Sequence, residues 1–328
     1  MKCLVIGAGG LGSFIAAQLV RSARSVVMVS RGLHLDTIAS RGLLVNHPQM
    51  GFHGPVAAVN IDTLQHRYRC SDFDLVILTA KAADTAGILN NLGLWLQDGE
   101  APVLSLQSGV ENEQQISREV GRERTLGGLS LMVKAYVVSP GRIDAAGEPK
   151  LEIGAWPNQW DNPYANQSLS LIQSLFNDAG ISCHISEDIR QSLWRKLVFN
   201  NGINPVSALT FLSTRLLMTD TTLRDVIYNM MLEGVRAAQT AGITLDKEDA
   251  RDMFELLEDY GDLKSPMLID RVAGRPLEIN EICGPVIQYC ERSGKPATWT
   301  RLIGSLLKAN MSGTSALGKD ESESSSQN

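Results

Sequence analysis

The chain has 328 residues, 44% hydrophobic and 20% charged, with a formal net charge of −6. That length suits two domains with sizeable cores, and the acidic balance excludes a global attraction to nucleic acid or anionic membrane. No apolar run reaches the roughly 18 residues of a membrane helix. The opening MKCLVIGAGGLGSF is broken by glycines at once, so it reads as a strand and a turn rather than a signal peptide. Five cysteines (Cys3, Cys70, Cys183, Cys283, Cys290) show no CxxC spacing. Such a dispersed, odd set fits reduced thiols and a cytoplasmic location. The histidines form no HxxxH or Cys/His cluster, and no metal site is expected.

In chain order, residues 3–6 read as a strand, 12–21 as a helix and 26–29 as a second strand. Residues 74–79 (DLVILT) and 102–106 (PVLSL) read as further strands. Continuously apolar strands separated by helices predict a parallel sheet covered on both faces. A turn signal at Ser139-Pro140-Gly141-Arg142 separates two extended runs, and a strand is expected at 151–153, so the sheet is expected to finish with antiparallel strands. Beyond about Glu187 helical patterns dominate, over 189–209, 222–241, 247–260 and 278–293. The fold expected is an α/β Rossmann-like N-terminal domain over 1–187, followed by a mostly α-helical domain over 188–310. Residues 311–328, rich in serine and without an apolar face, are expected to form a disordered tail.

Gly7-Ala8-Gly9-Gly10-Leu11-Gly12 is GxGxxG between a strand and a helix. Gly7 permits the tight turn, Gly9 lets backbone approach a pyrophosphate, and Gly12 lets helix and strand pack closely. Gly10 and Leu11 complete the loop, where free helix N-terminal N–H groups favour phosphate. At the end of the second strand NAD-binding proteins place a carboxylate; here the strand runs into Ser30-Arg31. The Arg31 guanidinium suits an adenosine 2′-phosphate, which predicts NADPH/NADP+, while a surface arginine that merely solvates the strand end is the bland alternative.

In the segment 193–209, LWRKLVFNNGINPVSAL, Lys196, Asn200 and Asn204 recur every four residues. On a helix they share one narrow arc about 12 Å long. An ammonium and two amides on an apolar helix need partners. These are either another helix or a ligand bearing a carbonyl, carboxylate or hydroxyls. Asn204-Pro205 disfavours regular helix at Asn204 and suggests a kink. Glu278 stands near a helix start, where a carboxylate can simply complement the helix dipole. Lys81 follows the strand at 74–79, at the carboxyl end where ligands of open α/β sheets bind.

GAGGLG, Ser30-Arg31, Thr79-Ala80-Lys81, Leu106-Gln107-Ser108-Gly109, Trp194-Arg195-Lys196-Leu197 with Asn200 and Asn204-Pro205, and the segment 265–280 occur in this order. The set resembles the ketopantoate reductase family over roughly residues 1–305. The resemblance implies a reductase that uses NADPH to convert the 2-oxo group of ketopantoate to D-pantoate, on the route to pantothenate. It implies that Lys196 donates a proton or hydrogen bond to the substrate carbonyl oxygen and that Glu278 holds the substrate hydroxyl and supports the lysine. Asn200 and Asn204 would orient the substrate, Lys81 would lie near the nicotinamide, and Arg31 would take the 2′-phosphate. Three positions depart from the family pattern: Ser108 stands in place of asparagine, Pro266 in place of the serine before Met267 (with Ser265 adjacent), and Asn280 in place of aspartate. Ser108 and Ser265 are the candidate substrate contacts at these departures. They leave open a reductase of another branched 2-oxo acid. A non-catalytic NADPH-binding regulator is the alternative of a different class, against which the joint presence of Lys196 and Glu278 argues. A homodimer remains open.

Overall fold

The computed structural model describes residues 1–131, 134–259 and 261–324, with side chains outside the description at 259 and 312–324. The chain divides into two compact units, Met1–Leu193 and Trp194–Asn328, six residues later than the expected end of the first domain at 187.

The first unit runs β1 (Lys2–Ile6), α1 (Gly10–Arg21), β2 (Ser25–Val29), α2 (Gly32–Arg41), β3 (Leu43–Asn46), β4 (Phe52–Gly54), β5 (Ala57–Val59), α3 (Ile61–Arg67) and β6 (Leu75–Leu78). It continues through α4 (Thr85–Gln97), β7 (Val103–Ser105), α5 (Asn112–Val120), β8 (Thr125–Leu131), β9 (Lys134–Ser139), β10 (Arg142–Ala146), β11 (Lys150–Ala155), α6 (Asn166–Asp178) and β12 (Ser182–Ile185). Eight strands form one sheet in the order β12-β11-β8-β7-β6-β1-β2-β5. Neighbours from β8 to β5 are parallel, whereas β11 is antiparallel to β8. Successive residues of β1 feed opposite cores: Cys3 and Val5 pack on one face with Phe14 and Ile15, and Leu4 and Ile6 on the other with Leu89 and Leu92. This two-sided burial is why the strands read as unbroken apolar runs.

The turn at 139–142 joins β9 to β10 as expected, but this hairpin does not belong to the main sheet. It forms a second sheet with β3 and β4, in the order β4-β3-β10-β9. The antiparallel finish of the main sheet comes instead from β11. Ile143 of β10 and Leu43 and Val45 of β3 are fully buried in the core that also holds α1, which draws the hairpin away.

The second unit is helical: α7 (Ile189–Thr210, shared with the end of the first unit), α8 (Thr214–Thr219), α9 (Thr221–Thr240), α10 (Lys247–Asp259), α11 (Pro266–Val272), α12 (Ile279–Arg292) and α13 (Thr298–Ser324). The helix expected over 247–260 is present to Asp259, and Tyr260 lies outside the described residues. Pro205 does not end α7, which stays helical to Thr210. The backbone of 311–324 continues α13, and 325–328 lie outside the described residues. Extending an existing helix needs no new nucleus, so a stretch without an apolar face can follow one that has it.

Candidate functional site

The four segments singled out in the first unit lie at the carboxyl ends of β1, β2, β6 and β7, adjacent in the order β7-β6-β1-β2. Chain direction across the sheet reverses between β1 and β6, and such a switch point opens a crevice above an α/β sheet. The turn after β1 is shaped by what glycine lacks. Gly7 has φ +111°, and a Cβ there would stand 2.4 Å from the Ala80 nitrogen. A Cβ on Gly12 would stand 2.0 Å from the Gly7 oxygen, and one on Gly10 1.9 Å from the Ala135 oxygen of β9. At Gly9, by contrast, nothing lies within 4 Å of the missing Cβ. Thr79 donates to the Gly7 carbonyl at 2.7 Å and ties the turn to the end of β6. α1 starts at Gly10 with Gly9 as its N-cap, so the N–H groups of Gly10, Leu11 and Gly12 belong to the first turn, which has no intrahelical acceptors. Open space at Gly9 beside a helix N-terminus fits a dinucleotide pyrophosphate.

Arg31 is the N-cap residue of α2, directly after β2. Its side chain is 88% exposed and meets Asp84 at 3.2 Å. An exposed pair of this kind holds the guanidinium only weakly. Lys81 is exposed and precedes the turn Ala82–Asp84. Ser108 is half-buried in the loop after β7, and its carbonyl accepts from the Asn112 amide at 2.7 Å. This loop is fixed by buried polar groups that the sequence reading passed over. Gln107 donates to the Ala80 carbonyl at 3.0 Å and to Thr85 at 2.8 Å, and Thr85 donates to Asn112 at 2.9 Å. The network joins the ends of β6 and β7. Its one sequence signal is Gln107, a polar residue closely following an apolar strand.

In the second unit α7 carries Lys196, Asn200 and Asn204 on one face. The helix is held by contacts elsewhere. Cβ atoms on Gly202 and Gly234 would stand 2.7 Å from Met231 and 3.1 Å from Val198, so α7 and α9 meet with little space between them. Asn201 donates to the Met230 carbonyl and to Thr300, both at 3.0 Å. The buried Glu233 carboxylate of α9 accepts from the Trp299 and Thr300 amides at the start of α13. Lys196 and Asn200 are half-buried. Asn204 is 3% exposed, and its Oδ1 has no hydrogen-bond partner among the described residues. Leaving such an acceptor unpaired costs about 1–3 kcal/mol, so Asn204 is poised to accept a hydrogen bond.

Ser265 has a local task that its sequence context conceals. Its hydroxyl accepts from the Leu268 amide at 3.1 Å, making it the N-cap of α11, and Pro266 fills the first helical position. Proline is well suited there because the backbone N–H it lacks would have had no helical acceptor. The departure at Pro266 is therefore compatible with the helix start, and the Ser265 hydroxyl keeps its own proton to donate. Glu278 is half-buried at the N-cap position of α12 and makes no capping bond with its side chain. Among the described residues no group of three or more His, Cys, Asp or Glu could hold a metal ion, and no helix is long and apolar enough to cross a membrane.

Residues 3–158 match the family model described as ketopantoate reductase PanE/ApbA, and residues 188–311 match that described as its C terminal. The chain is 28% identical over 312 residues to the 2-dehydropantoate 2-reductase of Pyrococcus horikoshii, covering 95% of this chain and 98% of that one. The crystal structure of the 2-dehydropantoate 2-reductase of Geobacter metallireducens superposes with a TM-score of 0.80 at 25% identity, over 94% of this chain and all of that one. D-mandelate dehydrogenase, solved with NADH and anilino(oxo)acetate, shares the fold with a TM-score of 0.84 at 21% identity, over 94% of this chain and 97% of that one. Two family models spanning most of the sequence bear out the resemblance read from its motifs. The chain belongs to the ketopantoate reductase family of oxidoreductases, which act on CH–OH and C=O groups.

Proposed function

We propose that the protein uses NADPH to reduce the 2-oxo group of ketopantoate, giving D-pantoate for pantothenate synthesis. The observation that carries the substrate half of this reading is α7, where Lys196 and Asn200 share a face with the buried, unpaired Oδ1 of Asn204. Three polar groups so spaced suit a small acid bearing carbonyl and hydroxyl groups. The cofactor half is supported by open space at Gly9, the start of α1 and the exposed Arg31 guanidinium at the start of α2. A guanidinium there suits a 2′-phosphate better than a ribose hydroxyl.

When bound, the nicotinamide supplies the hydride. The chain's own residues manage the charge that this creates. Lys196 donates a hydrogen bond or proton to the carbonyl oxygen as negative charge grows there, the point at which a positioned cation lowers the barrier most. Glu278 accepts from the substrate hydroxyl and supports the lysine. Asn200, Asn204 and the Ser265 hydroxyl orient the acid, while Lys81 and Ser108 lie beside the nicotinamide. All five cysteines are buried free thiols, which supports a reducing, cytoplasmic setting.

Ser108 favours a second reading, in which another branched 2-oxo acid is the preferred substrate. A serine hydroxyl has one donor and a shorter reach than an asparagine amide. A panel of 2-oxo acids with NADPH, followed by loss of nicotinamide absorbance, separates the two. Ketopantoate as the best substrate supports the first reading; turnover of a different acid with none on ketopantoate refutes it.

A further inference from the structure

The Arg31 guanidinium already has an anionic neighbour. It donates to Oδ2 of Asp84 at 3.2 Å. Asp84 closes the turn after β6 and is the N-cap residue of α4. In the sheet β1 lies between β2 and β6, so the ends of those two strands stand about 10 Å apart, twice the usual strand spacing. The ion pair therefore links the two loops that flank the glycine turn.

Capping does not account for where this carboxylate points. An N-cap aspartate ordinarily accepts from an amide in the first turn of its own helix, and the Asp84 side chain makes no such bond. Its amide donates to the Lys81 carbonyl at 2.9 Å, which fixes the backbone from which the carboxylate reaches Arg31. Asp84 is half-buried and Arg31 almost fully exposed, so the carboxylate is the better anchored partner.

A carboxylate so placed sets a condition on any anion that Arg31 accepts. A phosphate that takes the guanidinium must displace Asp84 or share the cation with it, and either way two like charges approach each other. A ribose hydroxyl brings no charge and leaves the pair intact. We infer that Asp84 is a specificity-determining residue: it competes with the 2′-phosphate for Arg31 and so holds down the preference for NADPH over NADH. This rests on the cofactor reading above, in which Arg31 takes the 2′-phosphate.

Dissociation constants for NADPH and NADH test it, measured by fluorescence titration at low ionic strength, where exposed charges are least screened. The proteins compared are wild type, Asp84→Asn, Arg31→Ala and the double variant. Asp84→Asn removes the charge and keeps the shape. It should tighten NADPH about three- to tenfold, by freeing the guanidinium and removing the repulsion, and leave NADH level. With Arg31→Ala already present the gain should be smaller, because only the direct repulsion is left to remove. A weakened contact with the α4 N-terminus would lower stability but treat both cofactors alike, so their ratio separates specificity from folding. Asp84→Ser, which can still cap α4, repeats the test if the asparagine variant folds poorly. An equal gain with and without Arg31 overturns the competition. If Arg31→Ala lowers the preference for NADPH and Asp84→Asn does not raise it, this inference alone is overturned. If Arg31→Ala leaves the preference unchanged, the cofactor reading falls and this inference with it.

Discussion

Around Gly7–Gly12 the N-terminal unit presents backbone, whereas α7 of the helical unit presents side chains. The glycine turn works by omission: Gly7, Gly10 and Gly12 have no room for a Cβ, and Gly9 leaves the approach to the α1 N-terminus open. On α7 the backbone is occupied by its own hydrogen bonds, and the chemistry proposed above lies in what Lys196, Asn200 and Asn204 carry. The helix is instead fixed through Asn201, Gly202 and Val198. In the proposed function, the difference is between binding and reaction. A turn made of backbone can grip a phosphate common to many cofactors, while only placed side chains can respond to charge appearing on one atom.

If that division is right, side-chain changes on α7 should alter turnover and leave cofactor binding alone. Lys196→Ala should lower kcat by about 10²–10⁴-fold, the range for a positioned acid, with the NADPH dissociation constant unchanged by fluorescence titration. Near-normal turnover with reduced stability would make the lysine a packing partner.

In the N-terminal unit the next largest effect falls on stability. Glu113 has a folded pKa of about 7 against an ordinary 4.5, so its contribution is fully present below about pH 4.5 and lost as pH rises through 7. Above that, Glu113→Gln should gain on wild type by roughly 3 kcal/mol relative to their difference at pH 4, from about 1.36 kcal/mol per pKa unit. Urea unfolding at pH 4, 6 and 8 measures it, and a pH-independent difference would show that the carboxyl is not charged at a cost.

In the proposed function, Arg31 is the place where the N-terminal unit departs from backbone recognition. Wild type should prefer NADPH to NADH, and Arg31→Ala should remove most of that preference. One charge-assisted hydrogen bond is worth about 1.5–3 kcal/mol, or roughly 10- to 150-fold. Equal wild-type affinity for the two cofactors would contradict the assignment. The smallest change expected is at Ser108. Ser108→Asn should raise kcat/KM on ketopantoate by up to about tenfold, if about 1.4 kcal/mol of hydrogen bonding is restored. A fall would mean that serine already suits the substrate.

These regions also differ in how far the sequence exposes them. β1, α1 and β2 are legible because their information is local: an apolar run, a glycine turn and a helical period. The periodicity of α7 is local as well. The sheet of β3, β4, β9 and β10 is not, because β3 pairs with β10, with Leu44 opposite Arg142 almost a hundred residues later. Ser265 reads in sequence only as a candidate substrate contact; that its hydroxyl also caps α11 is visible only in the fold. Glu113 is hidden in the polar string ENEQQ, and only packing against Gly127 of β8 reveals that it is enclosed. Burial of a polar residue depends on distant chain, which a single sequence does not display.

Reduction of ketopantoate with NADPH is the proposed activity. The most direct test is to incubate the protein with both and follow nicotinamide absorbance and pantoate formation together. One pantoate should form for each NADPH consumed, with NADH a poorer donor. NADPH that binds but is not consumed with ketopantoate would contradict it.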